Sequence, residues 1–417
     1  MLVEPHWVLP HKNDTEALMP LSGLIIGSSY VWIAVAFLVM ALRRSSRLSL
    51  RWTSATIIVA TVLVFAYTFS ETLRIRHFLV FETLRSTSLD GVFTHPLNAT
   101  PLVIFLGRPL ASLRLDFAST MLVMANMVAL YVVVVALLRH LRLPIDGPLP
   151  LAATAVAVIS HPVRDTLMGG HWTLMFLALI VADVFLPTVR WPRGLLSGIA
   201  VALGGGWPLL SAVAAFSALK NYRAIGIVLG SCAASFGLGF VVARETTLSY
   251  LHTLWHWPET ILAALTGSIN NTAYAMVARA LGGSSTLSWL IMVVVVLAVA
   301  HFAAQRAGDQ YVAAAFGLCL PALVLPYSTA TVWVLLLPLV VLLARWNPIA
   351  TAFGAYLLWF EWFPGRLDYI YGGIRGEWWL PPFEVFASAP ALYLLVLMLL
   401  SLGGKIAQPS TGTLAKK

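Results

Sequence analysis

Apolar runs of roughly 17–25 residues recur from one end of this chain to the other, each long enough to cross a bilayer core of about 30 Å as a helix. Read from the sequence, the spans cover residues 21–42, 53–70, 116–138, 151–166, 172–188, 224–242, 286–304, 311–326, 329–344, 348–362 and 386–403. Only 10% of the 417 residues are charged, against about 25% in a soluble domain. No long polar stretch is left over to fold in water. The expected fold class is an all-α polytopic membrane protein. It forms one transmembrane domain over 1–417 with about 11–13 membrane-crossing helices.

The net charge of +9 does not point to nucleic acid, because the cations are not gathered on one face. They punctuate the ends of the apolar runs, where the positive-inside bias and anionic headgroups place them. Cys232 and Cys319 both lie inside apolar runs without paired spacing, so neither a disulfide framework nor a metal site follows. His252 and His256 in "LHTLWHW" stand four residues apart with only Glu259 near, and no metal is expected there. The start, "MLVEPHWVLPHKNDTEALMP", lacks the basic head, apolar core and cleavage site of a secretory signal.

Orientation is read from the short basic turns. "RRSSRLSLR" (43–51) carries Arg43, Arg44, Arg47 and Arg51, which places it in the cytoplasm and the N-terminus outside. The turns "RHLR" (139–142), "RWPR" (190–193), "KNYR" (220–223), "QRAG" (305–308) and Arg345 then fall on the cytoplasmic side, as does the tail with Lys405, Lys416 and Lys417. This register holds only if residues 194–219 do not cross. "GLLSGIAVALGGGWPLLSAVAAFSAL" has Arg193 before it, Lys220 after it and "GGGWP" in its middle. Glycines and proline break a helix. The sequence therefore predicts a re-entrant hairpin over 194–219, tolerated at membrane depth when buried in protein or lining a cavity, with one kinked span, which would shift the count by one, as the alternative.

With that register the polar chemistry gathers outside. Loop 71–115 holds "ETLRIRHFLVFETLRSTSLDGVFTHPLNATP", 161–171 reads "HPVRDTLMGGH", 243–285 contains "SINNTAYAMVARALGG", and 361–383 reads "EWFPGRLDYIYGGIRGEWWLPP". Carboxylates, arginines and aromatics are the groups needed to hold a sugar and a lipid phosphate. Trp255, Trp257, Trp362, Trp378 and Trp379 suit sugar stacking or an interfacial aromatic belt equally.

Four stretches occur in an order that resembles the GT-C fold glycosyltransferases of family 87. "HPVRDTLMGGHWTLMFLALIVAD" is similar to that family's Pro-Leu-Arg-x-Thr stretch with its Gly-Gln-x-Asn entry into an apolar helix. "GLLSGIAVALGGGWPLL" resembles its glycine-rich helix ending in Lys-Leu-Thr-Pro, "GSINNTAYAMVARALGG" its Asn-Gln-Ser segment followed by Arg-x-Leu-Gly, and "THPLNATPLVIFLGRPL" its Tyr-Pro-Pro stretch. The resemblance covers a core of about 55–345, with an added N-terminal span at 21–42 and further spans at 348–403. There are departures. The family's Gly-Gln is Gly170-His171 here, its Asn is Thr173, and its Lys falls at Gly205. Its His pair after Pro-x-Ser is Thr329-Ala330, and its essential Asp aligns with Glu71 or, one residue along, Thr72.

The resemblance implies a transferase that inverts the anomeric carbon of a polyprenyl-phosphate sugar, as actinobacterial mannosyltransferases of phosphatidylinositol mannosides and lipomannan do. One carboxylate must accept the acceptor's proton, a contribution of about 10²–10⁴ in rate, and the departing phosphate needs cations or backbone donors. Glu71, at the external end of a span, is the expected base, with Asp90 and Asp165 as alternatives; an interfacial pairing of Glu71 with Arg74 also satisfies the spacing. Expected substrate contacts are Arg74, Arg76, His77, Arg108, Arg164, His171, Asn270, Asn271 and Arg279. His171 is expected to cap the helix that follows it, at the mouth of an external cavity. No cofactor is implied beyond the lipid-linked donor. The implied partners are that donor, a glycolipid or lipoglycan acceptor, membrane lipids and membrane proteins of unknown kind. Two rival readings stay open. One is the same fold with another sugar, such as arabinose, or with catalysis lost, so that it serves lipid binding or assembly. The other is a transporter or flippase, against which stands the lack of a second broken helix in a matching position.

Overall fold

The structure, a computed structural model, describes residues 100–102, 115–186, 191–252, 272–281, 286–325, 328, 330–359 and 389–403. Every regular element among them is helical. In chain order they are α1 Leu115–His140, α2 Leu149–Val158, α3 His161–Met168, α4 Thr173–Phe185, α5 Leu195–Gly204, α6 Gly206–Ala218, α7 Tyr222–Val242, α8 Ala273–Leu281, α9 Thr286–Arg306, α10 Gln310–Val324, a 3₁₀ turn Ala330–Leu335, α11 Leu336–Leu343, α12 Pro348–Trp359 and α13 Ala389–Leu402. Three helices, Thr120–His140, Tyr222–Val242 and Leu287–Arg306, are long and apolar enough to cross a membrane, beside shorter apolar helices. The expected all-helical membrane architecture is present. The expected spans 21–42 and 53–70 lie outside the described residues.

Most boundaries fall where hydropathy puts them, and one span divides. The stretch 151–166 is two helices, α2 and α3, parted at Ile159 and Ser160. Pro162 is the reason: in a continuous helix its ring would strike the carbonyl of Val158 and leave that carbonyl without a donor. The helix ends at Val158 instead, and Pro162 sits in the first turn of α3, where no amide hydrogen is needed.

The basic turns among the described residues share one end of the bundle. The His140 ring stands 5.4 Å from the Phe185 ring and 4.2 Å from the Tyr311 ring. That contact brings the C-terminal ends of α1 and α4 against the start of α10. Arg306 Nη1 donates to the Leu402 carbonyl at 3.0 Å, joining the last turns of α9 and α13. Helices that start at this end carry their own caps: Asn221 accepts from Ala224 N, Asp309 from Tyr311 N and Val312 N, and Asn347 from Ala350 N. At the opposite end Trp289 Nε1 donates to the Val324 carbonyl and Trp359 Nε1 to the Val156 carbonyl. This fixes α9 antiparallel to α10.

Residues 194–219 form the hairpin the sequence predicts. Gly194 lies so close to Ala224 that a side-chain carbon there would stand 2.7 Å from the Ala224 carbonyl oxygen. A continuous helix over the 24 residues from Leu195 to Ala218 would part its ends by about 35 Å. The six residues from Ala218 to Ala224 could span only about 20 Å, so the chain must return. The break is at Gly205, with φ 70° and ψ −122°, a conformation closed to residues with a side chain. Helix α5 then runs alongside α7, with Gly198 facing Ser231 and the Ser235 hydroxyl donating to the Ala202 carbonyl at 2.6 Å. Helix α6 comes back against α10, where Ser211 Oγ donates to the Leu318 carbonyl and Gly317 admits the backbone of Ala214.

The foot of the hairpin is held by a residue that sequence reasoning passed over. Asp183, in the last turn of α4 and 6% exposed, accepts hydrogen bonds from Gly194 N (3.0 Å) and Ser197 N (2.9 Å). A carboxylate at a helix N-terminus satisfies amides that have no partner inside the helix and meets the positive end of its dipole. Asp183→Ala is expected to lower apparent stability by about 2 kcal/mol, read as a fall in melting temperature in detergent. Ser197→Ala, which removes a buried hydroxyl without a partner, is expected to leave it unchanged. Equal melting of Asp183→Ala and the parent protein would remove the anchor from this account.

Candidate active site

At the end opposite the basic turns, α3 presents His161, Arg164 and Asp165 on one face, as spacings of three and four residues require. His161 Nε2 lies 3.4 Å from Asp165 Oδ2, and Arg164 Nη2 lies 3.4 Å from His161 Nδ1. A guanidinium only donates, so Nδ1 accepts and the ring proton sits on Nε2, toward the carboxylate. All three side chains are half-buried. Asp165 is therefore partnered yet reachable, at 34% side-chain exposure. The helix packs on the 3₁₀ turn Ala330–Leu335.

The glycine pair after α3 is a helix stop with two separate demands. His171 N donates to the Thr166 carbonyl and Gly170 N to the Leu167 carbonyl, the two bonds of a Schellman motif. Its left-handed residue is Gly170, at φ 65°. Gly169 is glycine for another reason: a Cβ there would lie 2.6 Å from the His171 ring. The motif turns the chain into α4, and the His171 carbonyl accepts from Asn126 Nδ2 at 3.0 Å. The expectation that His171 caps α4 is corrected. The capping position is Trp172, with no side-chain cap bond, because the stop places the His171 ring back over Gly169.

Helix lengths explain how deep this junction lies. Helix α1 has 26 residues, about 39 Å at 1.5 Å each. Helices α4, α5 and α6 have 13, 10 and 13 residues, about 15–20 Å. All three rise from or return to the basic end, so the α3–α4 junction and the hairpin tip lie about 20 Å from that end while α1 runs on. The two features touch. The Trp172, Phe176 and Trp207 rings follow one another at 6.4 and 6.1 Å, and a Cβ on Gly204 would lie 2.7 Å from both Phe176 and Pro208. The carbonyls freed by the break are taken up by Thr100: its N donates to the Leu203 carbonyl and its hydroxyl to that of Ala202. Tyr250 stands over Gly205, where a Cβ would meet its hydroxyl at 3.3 Å.

Among the described residues, several buried polar atoms have no hydrogen-bond partner: Asn126 Oδ1, Trp172 Nε1, Thr246 Oγ1 and Trp333 Nε1. An orphaned polar atom costs roughly 1–3 kcal/mol and asks for an explanation. Of the residues expected from sequence, the structure brings Asp165, Arg164 and His171 to this end, and Arg279 falls in α8. Glu71, Asp90, Arg74, Arg76, His77, Arg108, Asn270 and Asn271 lie outside the described residues, as do the five tryptophans named above.

The family model for glycosyltransferase family 87 matches residues 93–326, a stretch holding α1 to α10 and every element of this floor except the 3₁₀ turn. The chain belongs to glycosyltransferase family 87. It is 29% identical over 279 residues to a polyprenol-phosphate-mannose-dependent alpha-(1-2)-phosphatidylinositol mannoside mannosyltransferase of Mycobacterium tuberculosis. It is 29% identical over 293 residues to the protein of the same description from Mycolicibacterium smegmatis. Each match covers 61% of this chain and 62% of the relative, so the chain spans just under two thirds of the length of these relatives. No solved structure matches.

Asparagine tolerates the left-handed region and other side chains pay for it. Gly170→Asn is therefore expected to cost well under 1 kcal/mol, whereas Gly169→Asn must displace the His171 ring and costs about 2 kcal/mol. Melting temperatures of the two variants in detergent check the difference. Equal losses would contradict the separate roles given to the two glycines.

Proposed function

We propose that this chain is a membrane glycosyltransferase of the GT-C fold that moves a sugar from a polyprenyl-phosphate donor to a glycolipid or lipoglycan acceptor. The sugar is mannose, by likeness to the relatives described above. The observation that carries the reading is the stepped bundle: polar and aromatic groups stand on a floor about 20 Å above the basic end, inside the thickness of a bilayer core of about 30 Å. A lipid-linked sugar must bring its phosphate to the membrane boundary while its prenyl chain stays in hydrocarbon, and a recessed polar floor suits both. The positive-inside bias makes the basic end cytoplasmic and the floor external. The protein is then a multi-pass protein of the cytoplasmic membrane, with its N-terminus outside and its C-terminus inside.

The chemistry asked of the site is a single inverting displacement. The acceptor oxygen bonds to the anomeric carbon, the bond from that carbon to the phosphate oxygen breaks, and its electron pair leaves with the lipid phosphate. The acceptor's proton passes to a carboxylate. Glu71 holds that role by its place in the family order, and Asp165 is the described alternative. Arg164 and His161 lie beside Asp165 to steady developing negative charge, and the unpartnered Trp172 Nε1 and Asn126 Oδ1 offer a donor and an acceptor to a sugar hydroxyl. Transfer from labelled polyprenyl-phosphate-mannose to a mannosylated lipid extract tests the reading in purified, lipid-reconstituted protein. Wild type is expected to transfer mannose, and Glu71→Gln to lose about 10²–10⁴ in rate with melting temperature unchanged. Loss in Asp165→Asn with Glu71→Gln active would move the base. No transfer by wild type from any polyprenyl-phosphate sugar would overturn the enzyme reading.

A further inference from the structure

Two helices that descend to the basic end finish in the same motif and break its usual rule. At the end of α1, Arg142 N donates to the Arg139 carbonyl and Leu143 N to the Leu138 carbonyl. At the end of α6, Lys220 N donates to the Ser217 carbonyl and Asn221 N to the Phe216 carbonyl. Both are Schellman motifs, whose left-handed residue is usually glycine. Here those residues are Arg142 at φ 57° and Lys220 at φ 54°, the only non-glycine residues with positive φ among those described. The same motif at the other end of the bundle uses Gly170. A side chain in this region costs of order 1 kcal/mol, and both positions bearing that cost carry a cation.

The hairpin adds a second observation. By seating Gly194 on Ala224 it brings "WPR" (191–193) beside "KNYR" (220–223), which the sequence separates by a whole helical hairpin. Trp191 is 61% exposed and Tyr222 75%, and Lys220 and Arg223 are exposed as well. Among the described residues, carboxylates at this end do little to neutralise them. Asp183 is committed to α5 and Asp309 to α10, which leaves Asp146 on the α1–α2 turn. Exposed indole and phenol rings beside cations with no carboxylate partner among the described residues, at the end of membrane-length helices, match the chemistry of a phospholipid headgroup layer.

We propose that the basic end is a docking surface for the anionic headgroups of bilayer phospholipids, held where Trp191–Arg193 meets Lys220–Arg223. The left-handed strain at Lys220 is kept because its ammonium faces the phosphates. The surface lies at the end of the bundle opposite the floor, so it does not rest on the sugar-transfer reading.

The test uses delipidated full-length protein in mild detergent, to which phosphatidylglycerol or phosphatidylcholine is added, with melting temperature and lipid retention by native mass spectrometry as readouts. Wild type is expected to be stabilised by phosphatidylglycerol and not by phosphatidylcholine, with the effect weakening at high salt. Lys220→Gly with Arg223→Gln is expected to bind phosphatidylglycerol about tenfold more weakly or worse, while melting no lower than wild type without lipid. Arg193→Gln with Arg223→Gln, which leaves the left-handed turn intact, is expected to show the same loss, and Arg244→Gln at the other end none. Equal stabilisation of wild type by the two lipids would overturn the proposal, as would retention of the full phosphatidylglycerol response in both double variants. If the cation at Lys220 serves only the carbonyl end of α6, Lys220→Gly lowers melting without lipid and leaves the lipid response intact, which would also overturn it.

Discussion

Asp183 gathers the free amides at the start of α5 onto one buried carboxylate, and the course of the chain from α4 to α7 follows from that contact. With the foot of α5 fixed beside the last turn of α4, and Gly194 fixed against Ala224, the segment between has no route across the bundle. It must rise, break and return. Gly205 allows the break because only glycine takes that backbone shape at no steric cost. Thr100 and Ser235 then take the Ala202 and Leu203 carbonyls, two of those the break exposes, as backbone held away from water requires. The interaction is short-range, but it returns α6 to the end of the bundle from which α5 rises.

The consequence for the site is one of levels. A hairpin of half-height helices beside a half-height α4 leaves the taller α1 standing past them. Phe176 packs on Gly204 from one side while the row of Trp172 and Trp207 closes over it. The polar face of α3 and the unpartnered buried atoms of Asn126 and Trp172 border that step. On the readings proposed above, sugar transfer and headgroup contact stand at opposite ends of the bundle. Ionisable groups that hydrocarbon would penalise stand at one end, and the cations suited to headgroup contact stand at the other.

Much of this was legible in the residues. Hydropathy placed most described helices within a few residues, because each apolar run is bounded by charged or turn residues that end the helix. The hairpin was legible from "GGGWP" together with the like charges of Arg193 and Lys220. What the sequence did not disclose depends on partners far along the chain. Nothing local marks Asp183 as a cap for amides 11 and 14 residues away, since it reads as a stray acid closing an apolar run. The division at Ile159–Ser160 was signalled by Pro162 but masked by continuous apolarity around it. The Gly169-Gly170 pair answers two demands, one of dihedral and one of space, that the sequence does not separate. At the candidate site, Arg164, Asp165 and His171 were singled out by type and position, while the geometry joining Asp165 to His161 was not legible. The left-handed cations Arg142 and Lys220 gave no signal, because positive φ at a non-glycine residue leaves no trace in composition.

The claim on which the rest depends is that residues 194–219 return to the face they leave. Single cysteines at Trp191 and at Tyr222, both exposed, in a protein lacking Cys232 and Cys319, report the face on which each flank lies. A membrane-impermeant maleimide is applied to intact cells and then to opened membranes. The hairpin predicts the same result at both sites, protected in intact cells and labelled once the membrane is opened. Labelling of one site and protection of the other in intact cells would mean a crossing helix, and would contradict the account.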